Sequence, residues 1–139
     1  VEIGDIRVRN VTTDIRGGMA GRMKDGNSIF IFEVAGLCIG HLGHLHHLLG
    51  NEHVGMIGRL DIVMVPVDGG YTMGQDEMLE VMRTIKARVV IPMHFFGQTT
   101  LNRFIATMGK DFELETSASP ERIFSAATLP DSPKLVVLP

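Results

Sequence analysis

Four of the chain's six histidines, His41, His44, His46 and His47, lie within seven residues, directly after the apolar run Leu37-Cys38-Ile39. Imidazole nitrogens bind divalent metals and exchange protons near neutral pH. A loop that follows a strand is a common place for such side chains. The cluster therefore predicts a metal or substrate site. It is not a complete metal site by itself, so further ligands are expected from elsewhere in the fold or from outside this chain.

A second candidate, His94, ends another apolar run, Val89 to Met93. Ligands of open α/β sheets gather beyond the carboxyl ends of the strands. A lone histidine there is more often structural, but two strands of this chain end in histidines. We expect His44 and His94 to converge on one metal, with His46 as the third candidate ligand.

The other histidines of the cluster leave alternatives open. His41 ends its strand and is expected to be structural. His46 and His47 are either solvated loop residues or, in the functional interpretation, one metal ligand and one proton donor to a leaving group. Asp68-Gly69-Gly70-Tyr71-Thr72 is favoured as a plain turn, although its backbone could line the same cleft.

Composition limits the class of protein. The chain has 139 residues, 45% of them hydrophobic and 21% charged, and a net charge of −3, which predicts one globular domain over 1–139. Lysines and arginines are scattered, which argues against nucleic-acid or membrane partners. The single cysteine, Cys38, is expected to be a buried apolar residue in a reducing, cytoplasmic compartment. Because Val1 is not an initiator Met, we expect the chain to be part of a longer protein.

Hydrophobic periodicity predicts a mixed α/β fold. Antiparallel strands come first, and alternating strands and helices, which favour parallel pairing, follow. The predicted strands are 6–11, 28–34, 37–40, 61–67 and 89–94, with one or two more within 112–115 and 134–138. The predicted helices are 51–57, capped by Asn51, 75–86 and 99–108. Residues 14–27 are expected to form a long loop.

The order of these elements resembles a known family. The hairpin ending in Leu37-Cys38-Ile39-Gly40-His41-Leu42-Gly43, the run Asp61 to Val67, the glycine turn before Tyr71-Thr72 and the string Val90-Ile91-Pro92-Met93-His94 are similar to the C-terminal half of metallo-β-lactamase-fold hydrolases. The branch containing the ascorbate-6-phosphate lactonases is the most similar. The resemblance implies half of an α/β/β/α sandwich, with a mixed sheet and helices on one face. It also implies a zinc or manganese site whose metal-bound hydroxide attacks an ester, lactone or phosphoester of a small-molecule substrate.

The chain also departs from the family pattern. The signature His-x-His-x-Asp-His belongs to the N-terminal half, which we expect to be missing from this chain. The family's metal-bridging aspartate falls on His44, and a further family histidine has no counterpart in Thr12-Thr13-Asp14. His94 alone matches a family ligand, so a single-metal or rearranged site is expected and this chain alone is expected to be inactive.

Three hypotheses follow. The chain is a fragment or degenerate member of a metal-dependent hydrolase, which we favour. Alternatively, it is a non-catalytic ligand- or metal-binding half-fold that forms a homodimer. In the third hypothesis, the histidine loop stores metal by itself.

Overall fold

A computed structural model describes residues 1–19 and 21–139. The strands are β1 Glu2–Ile3, β2 Ile6–Gly17, β3 Gly21–Val34, β4 Leu37–His41, β5 Ile62–Pro66, β6 Val89–Met93, β7 Glu113–Thr116 and β8 Lys134–Val137. The helices are α1 Asn51–Ile57, α2 Gln75–Ile85 and α3 Gln98–Met108, and a 3₁₀ helix spans Ala126–Thr128. No helix among the described residues is long and apolar enough to cross a membrane.

All eight strands form one mixed sheet in the order β1-β2-β3-β4-β5-β6-β8-β7. The strands from β1 to β4 pair antiparallel. From β4 through β5, β6, β8 and β7 the pairing is parallel. The predicted mixed α/β class and both predicted C-terminal strands are confirmed.

The predicted loop over 14–27 is wrong. In its place β2 and β3 continue as one long hairpin, with Ile15 opposite Met23 and Arg16 opposite Arg22. A register shift between Thr13 and Ile15 marks a bulge, which breaks the two-residue alternation on which strand prediction relies. Of the predicted loop, residue 20 lies outside the described residues.

The helices agree closely with the sequence-based bounds. The N-cap of α1 is Gly50 and not the predicted Asn51, which is the first helical residue. Helix α2 ends at Ile85 because Lys86 takes a left-handed conformation with φ 58°. All three helices contribute to the main core, through Ile57, Met82 and Phe104 among others, so they lie on the same face of the sheet.

The opposite face is covered only in part. Ile62, Val89 and Val136 form a second, smaller core with Phe124 and Leu129, which belong to the segment between β7 and β8. On β3, Ile29 and Ile31 point into the main core, so Phe30 and Phe32 point the other way. We call the surface formed by Ile6, Val8, Phe30, Phe32 and Ile39 the open face. Its residues Phe30 and Ile6 are 44% and 40% exposed.

Candidate metal centre

Three neighbouring parallel strands bring the candidate side chains to one edge of the sheet. Strand β4 ends at His41, β5 at Pro66 and β6 at Met93. Their order in the sheet is β4-β5-β6, and they run parallel, so their carboxyl ends share an edge. The segments that follow them carry His44, Asp68 and His94.

The rings of His44 and His94 lie close together, as the sequence predicted. Their centroids are 5.5 Å apart and their planes are nearly perpendicular at 88°. His94 also packs against Phe96, with 4.4 Å between ring centroids. The His94 side chain is 36% exposed, so it can reach a ligand from solvent.

The carboxylate of Asp68 lies beneath His94. Its Oδ1 is 3.1 Å from His94 Nδ1 and accepts a 2.6 Å hydrogen bond from the Thr72 hydroxyl. Its Oδ2 accepts from the backbone N–H groups of Gly70, Tyr71 and Thr72. Burial opposes ionisation of Asp68, but these hydrogen bonds outweigh burial and hold its pKa far below the usual range. The group is therefore an anion at neutral pH.

Ionised Asp68 determines which nitrogen of His94 carries the proton. A carboxylate only accepts hydrogen bonds, so the neutral imidazole must donate from Nδ1. The lone pair is then on Nε2, which is the arrangement of a metal-binding histidine backed by a carboxylate.

The loop carrying His44 is fixed by Asn27 of β3. Asn27 Oδ1 accepts the His44 backbone N–H at 2.7 Å, and its amide donates to Leu42 O and Thr13 Oγ1. Gly43 is required next to this contact, because it has φ +61° and an added Cβ would lie 2.4 Å from Asn27 Oδ1. Asn27 therefore places His44 through the backbone.

His41 and His47 have structural roles. His41 Nδ1 accepts the Gly43 N–H at 3.1 Å, in line with the prediction for His41. His47 is 7% exposed, so the expectation of a solvated loop residue is wrong. Its Nε2 accepts the Asp14 N–H at 3.0 Å, and Nδ1 lies 2.8 Å from Leu48 O, to which it donates. With both nitrogens engaged, His47 has none left for a leaving group.

His46 lies in a different environment. Burial, together with the positive charges of Arg16 and Arg22, lowers its pKa and favours the neutral imidazole. Its Nδ1 is buried and has no hydrogen-bond partner among the described residues. The chemistry of this ring suits a metal ligand, and its assignment stays a prediction.

A cleft of about 370 Å³ opens beside His44. The tip of the β2–β3 hairpin forms one wall through Ile15, Arg16, Gly17 and Gly18. Gly70 and Tyr71 form the other wall, so the turn after β5 does line the cleft. The sequence did not predict this wall, because residues 14–27 were expected to form a loop and not a hairpin.

The donor set fits part of a metal site. His44 and His94 offer imidazole nitrogens that suit zinc or manganese. Within the described residues no group of three or more His, Cys, Asp or Glu side chains is arranged to hold an ion. Two nitrogens fall short of the three protein ligands that a catalytic zinc site has.

Sequence reasoning missed Asp68 and Asn27. Asp68 precedes two glycines, which is typical of a turn, so the segment was interpreted as a plain turn. The sequence alone did not show that this carboxylate follows the strand next to the one that ends before His94. The available signal was the pairing of two adjacent buried strands, one ending in a carboxylate and the other in a histidine. No comparable signal identified Asn27.

Comparison with known proteins places the chain in a family. The family described as "Beta-lactamase superfamily domain" matches residues 1–94. A UPF0173 metal-dependent hydrolase from Thermoplasma acidophilum is 30% identical over 95 residues, which cover 68% of this chain and 42% of the relative. One from Pelotomaculum thermopropionicum is 29% identical over 89 residues, covering 64% and 39%. The chain thus spans less than half the length of these relatives.

Solved structures agree with this assignment. A Thermotoga maritima protein, described as a proposed Zn-dependent hydrolase of the metallo-β-lactamase superfamily, superposes with a TM-score of 0.74 at 27% identity. The match covers 99% of this chain and 67% of that protein. The metallo-β-lactamase fold protein YhfI from Bacillus subtilis shares the fold, with a TM-score of 0.58 at 10% identity over 100% of this chain and 49% of its own. The chain belongs to the metallo-β-lactamase superfamily.

Proposed function

We propose that the chain is part of a metal-dependent hydrolase in which His44 and His94 bind one divalent ion, zinc or manganese. His46 is the third candidate ligand, and the remaining ligands come from sequence outside this chain. In this proposal the chain is the C-terminal half of the enzyme and belongs to the branch similar to ascorbate-6-phosphate lactonases. The observation that carries the proposal is His94 Nε2, which has no hydrogen-bond partner among the described residues and lies beside His44, at the edge where three parallel strands end.

The chain's own residues have separate parts in this reaction. His94 and His44 bind the ion, and the cleft next to His44 holds the substrate between the hairpin tip and Tyr71. A divalent ion bound here supplies Lewis-acid activation of water and of the scissile ester, lactone or phosphoester group. Tyr71 packs edge-on against Phe96, with 6.0 Å between ring centroids, and this pair forms an apolar surface next to His94.

The cleft favours a substrate that carries negative charge. Arg16 lines its wall, and after burial the charges of Arg16 and Arg22 are the next causes that lower the pKa of His46. Arg22 has a partner in Asp14, with 3.8 Å between nitrogen and oxygen. A guanidinium at the mouth of a cleft attracts carboxylate or phosphate groups, which suits a phosphoester or a lactone that carries such a group.

Zinc titration of this chain by calorimetry tests the metal ligands. We expect His44→Gln and His94→Gln each to weaken zinc binding at least about tenfold, since each removes one of few ligands. His53→Gln, on α1, is the matched control and keeps the affinity. Unchanged binding in both site variants, or a loss in the control, contradicts the proposal. Ester and phosphodiester hydrolysis by the chain alone is expected to stay at the rate of free zinc.

The second candidate is a non-catalytic half-fold that homodimerises. The open face favours it, because exposed apolar surface of this kind marks an interaction site. Sedimentation equilibrium tests this candidate: it predicts a stable dimer, and a strictly monomeric chain contradicts it.

A further inference from the structure

The turn after β5 encloses the Asp68 carboxylate so completely that no lone pair remains for a metal. The Asp68 side chain is 3% exposed, and its two oxygens take part in five hydrogen bonds. Two carboxylate oxygens offer about four lone-pair sites. Asp68 is therefore not itself a ligand, although it lies next to one.

His94 needs an external constraint to keep its orientation. It follows β6 in a left-handed conformation, with φ 57°, which is uncommon for a residue with a side chain. Its side chain is more than a third exposed, and its ring packs edge-on against the rings of Phe96 and His44. The bond to Asp68 Oδ1 is the polar contact that distinguishes Nδ1 from Nε2.

We propose that Asp68 is a positioning residue that fixes the tautomer and direction of His94, so that Nε2 is always the nitrogen presented to the metal. The statement about the tautomer depends on this chain alone, and the statement about the metal rests on the proposed function. Because Gly70, Tyr71 and Thr72 hold the carboxylate with backbone N–H groups, the constraint on His94 is anchored in the main chain of the turn.

The substitution Asp68→Asn makes the proposal specific. The three backbone donors require an acceptor, so the amide oxygen of the new side chain takes the place of Oδ2. Its NH₂ group then faces His94 Nδ1, which must become the acceptor. We expect the proton of His94 to move to Nε2, the nitrogen that the proposal assigns to the metal.

Nitrogen-15 NMR of the imidazoles in the metal-free chain measures this directly, because the two ring nitrogens give different signals depending on which of them carries the proton. Loss of signals in His94→Gln assigns His94. We expect Nδ1–H in the wild type and in Thr72→Val, which keeps the carboxylate, and Nε2–H in Asp68→Asn. An Nε2–H tautomer in the wild type overturns the proposal even if the variant does not fold, and so does an unchanged tautomer in a folded Asp68→Asn.

Zinc affinity provides the second readout. Loss of a carboxylate behind a metal-binding histidine weakens binding by about 10- to 100-fold, and Asp68→Asn is expected to fall in that range. If wild-type chain binds no zinc, the proposed function fails while the tautomer result still decides the role of Asp68. Zinc binding that is equally tight in Asp68→Asn contradicts the positioning role.

Discussion

Histidines of this chain differ in function according to what their two nitrogens contact. His47 donates from one nitrogen and accepts at the other, so both are engaged. His94 donates to Asp68 from Nδ1, and its Nε2 has no partner in the part of the chain that the structure describes. Closeness in the sequence does not predict a shared role, since His44 and His47 are three residues apart and contact different partners.

Replacing His47 with Phe tests its structural role. The ring shape is kept, but Asp14 N–H and Leu48 C=O lose their partners. Both groups are partly buried, and leaving such groups unpaired costs about 1–3 kcal/mol, so we expect the free energy of unfolding in urea to fall by about that amount. Zinc affinity is expected to stay unchanged in the folded variant, and a loss of zinc binding without a loss of stability contradicts the assignment.

The sequence predicted that His44 and His94 lie close together, but it missed the residues that hold them in place, for a physical reason. His44 and His94 were found because each follows an apolar strand. Asp68 and Asn27 act through hydrogen bonds to residues distant along the chain, such as Asn27 to His44 and Asp68 to His94. Such contacts exist only once the strands are aligned.

Among the elements, short helix α1 depends on strand β2 for its C-terminal end. Arg9 of β2 donates 2.6 Å hydrogen bonds to Met56 O and Ile57 O, the last carbonyls of the helix. The same guanidinium donates to Glu33 Oε1 of β3 at 2.8 Å. Arg9 thus attaches the end of α1, the helix that follows the histidine loop, to the β2–β3 hairpin.

Glu33→Gln tests this link through its pH dependence. The hydrogen bond from Arg9, and then the charges of Arg7 and Arg9, lower the pKa of Glu33 against the opposing effect of burial. A pKa that is lower in the folded state stabilises the protein above the unfolded value of about 4.3 and is lost as the pH falls through the folded value. We expect the variant to be less stable than the wild type at pH 7, with the difference vanishing in acid. A stability difference that does not shrink as the pH falls contradicts this account.

The β2–β3 hairpin shows where prediction of elements fails. Its outer half contains glycines, charges and a bulge, so the sequence lacks the alternation of a strand. The outer half is nonetheless paired as a strand, with Ile15 opposite Met23. The parallel strands β5 and β6 were predicted almost to the residue because they are buried on both faces and uniformly apolar.

At the scale of the whole molecule, the open face is an apolar surface that this chain leaves exposed. The opposite face of the same sheet is covered by three helices, while Phe30 and Ile6 remain substantially exposed. Surface of this kind favours association with another protein surface. In the proposed enzyme that surface is the rest of the hydrolase, and in the alternative it is a second copy.

Phe30→Lys tests the open face. We expect the isolated chain to self-associate at high concentration and the variant to do so less, as measured by sedimentation velocity. Thermal stability should change little, because substitutions at exposed sites usually alter it by about 0.5 kcal/mol or less. Met56→Lys, at a residue 47% exposed on α1, is the matched control. Self-association that is equal in both variants, or absent in the wild type, contradicts the role of this face.

The central claim is that this chain supplies His44 and His94 to one metal ion. Adding substoichiometric Mn²⁺ to the chain and recording the imidazole NMR signals tests it most directly, because a paramagnetic ion broadens the nuclei closest to it. The account predicts that the signals of His44 and His94 broaden first and together, while those of His47 remain sharp. Broadening that begins at His53, or that leaves His94 unaffected, would contradict it.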